Sequence, residues 1–405
     1  MEQTRFDNPA DRTAWRVIAS AFCATFVGLG LARFAYTPLL PALIDGGWFS
    51  ASDAAYLGAA NLTGYLAGAA FARMMAIRFT SASALRMTMA LATCSFFACA
   101  VPVSFAWFFV WRFASGVAGG VLMVLAATNA LPAIAPRLRG IASGAIFSGI
   151  GLGVILSGTI VPILLRWGLR ETWLTLGVIS MALTAMTWLW WPTGRIASTP
   201  TNSAQNDPFA AQLRTLYAEY ALMAAGIVPL MVFLVDFVAR GLHRGIETGS
   251  NYWILFGIGA AAGPILSGWA ADRFGFKASL RTALAAEAIA AALLIFSHAT
   301  AALTITSIMI GGSAPVNVTL VLGRVRELAP AGRDNAAWST ATIIFSVAQA
   351  FAAYLDSYIF ASTGERYEYI FAIGSVAFAA AFAMEVVGDI LSPQPARAMA
   401  GKQDP

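Results

Sequence analysis

Charge is what this chain has least of. Of its 405 residues only 25 are Lys or Arg and 20 are Asp or Glu, 11% together, where a soluble domain carries roughly 25%. Apolar residues make up 59%, which excludes a soluble enzyme held by a single anchor. Histidine is almost missing as well. His243 and His298 are the only two, far apart in sequence, so neither a His-based metal site nor a haem is expected. The three cysteines, Cys23, Cys94 and Cys99, all fall in apolar runs. An odd count without C-x-x-C spacing offers no disulfide framework and no zinc cage, and buried free thiols are the simpler reading. The net charge of +5 comes without a basic stripe, so no nucleic-acid partner is expected. No G-x-x-x-x-G-K-[ST] run occurs, and neither Gly149-x-Gly151-x-Gly153 nor Gly257-x-Gly259 completes a dinucleotide fingerprint. Pumping driven by nucleotide hydrolysis therefore has no site, and no cofactor is expected.

What remains is long apolar runs. A membrane barrel would force polar alternation along each strand, whereas Val154 to Leu165 is almost continuously apolar. Helical spans need about 20 residues each, so a chain of this length has room for about twelve to fourteen. Charged, Pro and Gly breaks divide it into twelve, near 14–44, 53–72, 80–101, 105–133, 141–165, 171–191, 216–240, 250–271, 279–297, 301–324, 336–361 and 368–388. Eighteen Lys and Arg fall on the side of the N-terminus, five on the other, and Arg33 and Arg112 lie within spans. That excess predicts both termini in the cytoplasm, and a multi-pass protein of the cytoplasmic membrane. Asp7, Asp11 and the interrupting Arg33 argue against a cleaved signal.

The one long polar break, from Pro192 to about Arg214, contains Pro200, Asn202, Ser203, Gln205, Asn206 and Asp207 and is expected to be a flexible linker. It divides the chain into a six-helix bundle over 1–191, a cytoplasmic linker over 192–215, a second bundle over 216–391 and a cytoplasmic tail over 392–405. Internal repetition agrees with this division. Gly68–Arg73 after span two parallels Gly268–Arg273 after span eight, and Ala135-Pro136 echoes Ala329-Pro330. Repeats of this kind are typical of secondary transporters with a site between the halves.

Gly268-x-x-x-Asp272-Arg273-x-Gly275-x-Lys277 resembles the signature loop of the major facilitator superfamily. Phe276 stands where the family usually has a second basic residue, and in the first half Ala72 replaces the Asp. Arg112-x-x-x-Gly116 followed by Gly120 resembles the family's fourth-helix motif. Gly149-x-x-x-Gly153 with Ser157-Gly158 resembles the fifth-helix motif of antiporters, with Val154 in place of its proline. Gly28–Pro41 in span one and Val235–Leu242 in span seven resemble the YbfB/YjiJ-type branch. The resemblance implies an all-α membrane fold of twelve helices in two pseudo-symmetric bundles, working by alternating access. Spans one, four, seven and ten would line the cavity. Gly268, Asp272, Arg273, Gly275 and Lys277 would form a conformational latch, with the Asp capping a neighbouring helix and the bases pairing across the interface.

A charge in mid-span costs about 2.5–3.5 kcal/mol, so each is a candidate for function. Arg33 and Arg112 fall in the first half; Asp236, Glu287 and Asp356 in the second. A guanidinium fork matches a carboxylate bidentately, which makes the arginines candidate anion anchors; the alternative is that each sits in a permanent buried ion pair. Asp236 would face them from the partner half, either as a proton-coupling group or as the local helix partner of Arg240. Glu287, among alanines, is a proton carrier or a hydrogen-bonded structural acid. Asp356 has Tyr354, Tyr358 and Gln349 as candidate partners. Tyr36, near the face of Arg33, contacts substrate or braces the arginine. Asn61, which shares a face with Tyr65, and Asn317 are further substrate candidates against the alternative of backbone satisfaction, which also applies to Asn129. Trp253 and Trp338 are candidates for lining the path.

The resulting expectation is a monomeric secondary transporter of a small organic, carboxylate-like anion, moving with a proton through lipid membrane. A proton-coupled exporter of amphipathic, drug-like compounds is the alternative. An enzyme would need a cluster of nucleophile, base or metal ligands, and a receptor would need a partner-binding extension; neither is visible in the sequence.

Overall fold

The computed structural model describes residues 9–135, 138–192, 210–330 and 333–391, and throughout these it is helical with short joins. The first span is assembled from α1 (Pro9–Thr25), a π-helical stretch (Phe26–Leu31) and α2 (Tyr36–Asp45). Then come α3 (Ala51–Phe79), α4 (Ser81–Ala98), α5 (Phe105–Ala130), α6 (Arg139–Leu165) and α7 (Leu169–Thr187). The second half runs α8 (Ala210–Asp236), closed by a π-helical turn over Phe237–Gly241, then α9 (Gly245–Phe274), α10 (Phe276–Phe296), α11 (Thr300–Leu328), α12 (Asp334–Ser362) and α13 (Tyr367–Leu391). Twelve crossings result, and they return the chain to the face it started from. Nine of the described helical segments are each long and apolar enough to cross a membrane. Most of the polar break over 193–209, the tail over 392–405 and Pro136 of the repeat lie outside the described residues.

Local chemistry places the helix ends. Ser50 Oγ accepts Asp53 N–H at 3.1 Å and Ser104 Oγ accepts Trp107 N–H at 3.1 Å, so α3 and α5 start where a serine can cap an otherwise orphaned donor. The join between α3 and α4 is the single residue Thr80, held at φ 71°. Its counterpart between α9 and α10 is Gly275, at φ 84°, where glycine adopts the left-handed region without strain. Two expected spans come out differently. The second runs to Phe79 rather than ending near residue 72, carrying Arg73 and Arg78 on its helical extension. The fourth leaves α-helix at Ala130 and finishes as a 3-10 turn over Leu131–Ala133, because Pro132 cannot continue the ladder.

Within the first half α3 packs along α5, and within the second α9 packs along α11 and α8 along α13. Between the halves, α6 lies against α9 and α12 against α3. Of the nine segments long and apolar enough to cross a membrane, the first and seventh spans are the most deeply enclosed. On the face opposite the chain ends the halves are tied together. Arg166 pairs with Glu247 at 2.7 Å, Arg240 with Asp45 at 3.5 Å, and Tyr56 lies beside Tyr354 with ring centroids 6.2 Å apart.

Candidate functional site

The first span sets the site by an irregular turn. After Leu31 the winding changes over Ala32–Ala35, whose amides still bond back to Val27, Leu29 and Leu31, and regular α-helix resumes at Tyr36. Pro38 suits the restart, since it has no N–H to return to residue 34 and a first turn needs none. Thr37 N–H instead reaches back three residues to Phe34 O at 3.4 Å. The π-helical winding just before this turn is of a kind that recurs at functional sites. Arg33 thus stands in mid-span on an irregular turn. Ala32 O, in the same turn, accepts Arg112 Nη1–H at 2.8 Å.

Arg112 comes from α5, which is pressed against α3 with almost no space between the backbones. A Cβ on Gly116 would run into Asn61 O, and one on Gly120 into Tyr65 O. The motif spacing therefore brings Asn61 beside Arg112: its Nδ2 donates to Ser115 Oγ at 2.8 Å and to Arg112 O at 3.3 Å. Arg112 is only 3% exposed, and its guanidinium carbon lies 4.2 Å from the centre of the Tyr36 ring. Tyr36 is held in turn by its hydroxyl, which donates to Ala54 O at 2.7 Å. Arg33 reaches across to the second half, where its Nη2 donates to Gln349 Oε1 at 2.7 Å and contacts Met231 Sδ at 3.3 Å. Its guanidinium carbon sits 5.0 Å from the Tyr65 ring centre and 5.2 Å from that of Phe34. Thr37 adds a bond between the halves, its Oγ1–H donating to Met231 O at 2.7 Å.

Arg33, Arg112, Tyr36 and Asn61 line one cavity of about 20 Å³ together with Thr37 and Met231, room for about one water. Neither arginine forms an ion pair with an acid among the described residues, and the Nε of each has no hydrogen-bond partner. Two guanidinium groups thus share an enclosed site whose protein ligands are a carbonyl, an amide, a thioether and aromatic faces.

The acids lie elsewhere. Asp236 is fully buried and makes its hydrogen bonds within the second half. Its Oδ2 accepts the Tyr367 hydroxyl at 2.6 Å, and Arg240 Nη1 lies 3.3 Å from both carboxylate oxygens. The i,i+4 spacing joins them. Arg240 also donates to Glu365 Oε2 at 2.8 Å and reaches Asp45 of the first half. Glu287 is 3% exposed and accepts Asn317 Nδ2–H at 3.2 Å; the same amide lies 3.1 Å from Ser313 Oγ. Asn317 is therefore bound inside the second half and away from the arginines. Asp356 is 1% exposed, with no hydrogen bond to either oxygen. Gln349, one of its sequence-level candidate partners, bonds Arg33 instead. Trp253 Nε1 donates to Ser157 Oγ at 3.1 Å, a tie between the fifth and eighth spans; Trp338 packs near Tyr220, and Asn129 reaches Pro192 O at 3.4 Å.

The residues expected to form the latch gather at the join between α9 and α10. Asp272 lies exposed in the last turn of α9 and caps no helix among the described residues. Arg273 sits over the neighbouring Phe274 ring at 6.0 Å, Gly268 borders open space, Gly275 makes the turn, and Lys277 lies in the first turn of α10. Two buried acids escaped the sequence reading, Glu219 on α8 and Glu385 on α13, although each is a lone charge in an apolar run. Glu385 lies 3.5 Å from Arg281. Met231 was also missed, because a thioether in an apolar run carries no polar signal.

The fold and this central charged site define a membrane transporter of the major facilitator type, and such proteins carry solutes and are not enzymes. Two solved structures share the architecture. A D-xylose–proton symporter superposes with a TM-score of 0.70 at 15% identity, covering 92% of this chain and 96% of that one. A bacterial homologue of the human lysosomal transporter Spinster, inward-facing and unoccupied, gives 0.67 at 14% identity, covering 94% and 96%. No curated protein sequence matches the chain. The chain belongs to the family described as uncharacterised MFS-type transporter YbfB, whose model matches residues 25–386.

Proposed function

We propose that the protein moves a small organic anion, carboxylate in character, by alternating access and together with a proton. It works as a monomer in the cytoplasmic membrane with both termini inside. The observation that carries this reading is the pair Arg33 and Arg112: two enclosed guanidinium groups, no ion pair, and a free Nε on each. An uncompensated charge in the membrane interior costs several kcal/mol, and an anion that accepts from both forks offsets that cost. Tyr36 and Asn61 brace the pair, and Gln349 joins it to the second half.

Of the three candidate coupling acids, Asp356 fits best. Both its oxygens lack partners, and seven residues separate it from Gln349, which puts the two on one face of α12. Asp236 is engaged with Arg240 and Tyr367 and serves as part of the clamp on the face opposite the chain ends. With a cavity of about 20 Å³, this conformation is closed around the site, so anion entry requires the halves to part. Gly268, Asp272, Arg273, Gly275 and Lys277 then act as the latch of the alternate state.

The test is uptake of radiolabelled mono- and dicarboxylates, an amine and a sugar into proteoliposomes, with and without an imposed pH gradient. Carboxylate uptake stimulated by the gradient is expected. Equal uptake of all four classes, or none that depends on carboxylate, overturns the reading.

A further inference from the structure

A second cavity lies wholly within the second half, away from the arginine pair. It occupies about 630 Å³ between α9, α10 and α11, within the ~300–1,000 Å³ range of small-molecule sites. Small residues open it: Gly263 and Ala270 on α9, Ala278, Ala283 and Ala286 on α10, and Gly312 on α11. Leu266 and Phe274, 63% and 61% exposed, are among its lining residues, and it shares no lining residue with the cavity at Arg33 and Arg112.

Among the described residues lining it, one is ionisable, and that is Glu287. The residue is 3% exposed. Its polar neighbours are Asn317 and Ser313, and Asn317 Oδ1 is itself buried without a donor. The donors lining the cavity are hydroxyls, those of Ser267, Ser279 and Thr282, and no cation pairs with Glu287 among the described residues. An acyl chain alone satisfies the apolar wall but not the oxygens of Glu287 and Asn317. A ligand that brings N–H donors on a positive head and an alkyl chain behind it satisfies both.

We propose that this groove is a binding site for a long-chain primary amine, with the ammonium group on Glu287 and the alkyl chain between α9 and α10. The site is independent of the anion site at Arg33 and Arg112.

Protein in lipid nanodiscs is photolabelled with a diazirine-bearing alkylamine, and the labelled peptides are mapped by mass spectrometry with decylamine, decanol or decanoate as competitor. Label on α9, α10 and α11 is expected, displaced by decylamine and not by the other two. Glu287→Gln is expected to weaken decylamine about tenfold or more, the loss of one charge-assisted bond, without changing decanol. Ala283→Phe fills the groove without touching the carboxyl, is expected to abolish the label, and decides the matter if the Gln variant folds poorly. Equal competition by all three amphiphiles, undiminished potency in Glu287→Gln, or label retained in Ala283→Phe overturns the proposal. Failure of carboxylate uptake leaves this result untouched.

Discussion

Replacing Arg33 or Arg112 by lysine keeps the charge and removes the fork, and the structure sets how much that should matter. Each guanidinium has five N–H donors. Arg112 uses Nη1 on Ala32 O, Arg33 uses Nη2 on Gln349 and Met231, and Nε is free on both. A carboxylate docking on the Nε edge of one arginine takes two charge-assisted bonds, each about 1.5–3 kcal/mol. A lysine ammonium keeps one, so the expected loss is about 1.5–3 kcal/mol, or roughly 10–150-fold in half-saturating concentration at 1.4 kcal/mol per tenfold. Arg33→Gln removes both bonds and the charge, about 3–6 kcal/mol, which takes uptake below detection. Initial rates of carboxylate uptake into proteoliposomes, normalised to inserted protein, give the half-saturating concentrations. If both lysine variants stay within about threefold of the parent, the arginines are not anion anchors and the reasoning fails.

Further outcomes follow from the same geometry. Asp356→Asn should abolish stimulation by a pH gradient while leaving exchange of internal for external anion; loss of both together, or of neither, removes Asp356 from coupling. Arg240→Met leaves the fully buried Asp236 with only Tyr367, a loss of about 3–5 kcal/mol for a broken buried pair. Asp236→Asn combined with Arg240→Met should recover much of the thermal stability in detergent, and additive losses would refute a coupled pair. Gly30→Val should prevent folding, because even a Cβ there lies 2.8 Å from Gly153 Cα; a normal monodisperse peak on size exclusion would show that the first and fifth spans separate more easily than the packing implies.

The helices and their pairing follow from features that are local in sequence. Apolar runs and the charged breaks between them are legible without a third dimension, whereas the single-residue join at Thr80 was not, since 73–79 read as a break and is helix. Part of the site is legible too: Arg33, Arg112, Tyr36 and Asn61 were identifiable as charge, ring and amide in the wrong solvent, and they do converge. Their partners were not identifiable. Gln349 meets Arg33 only because α12 packs on α3, and periodicity within α12 placed it equally well beside Asp356. Asp236 illustrates the same limit, since its i,i+4 neighbour is visible in sequence while Tyr367, 131 residues away, is not. Met231 contributes a thioether and a carbonyl oxygen, neither of which distinguishes it from any other methionine in an apolar helix.

The contact between Arg33 and Gln349 also bears on how the protein is made. The two residues are 316 positions apart, and at about 5–20 residues per second the ribosome needs roughly 15–60 s to bridge that distance. Throughout that interval the first span must enter the bilayer with a mid-helix arginine whose partner on α12 does not yet exist, a penalty of about 2.5–3.5 kcal/mol on insertion scales. Arg112 follows 79 residues later and anchors on the same turn, so α5 is the earliest element able to shelter it. The N-terminal helix carries that cost until later helices arrive, which gives residue 33 a bearing on biogenesis as well as on transport.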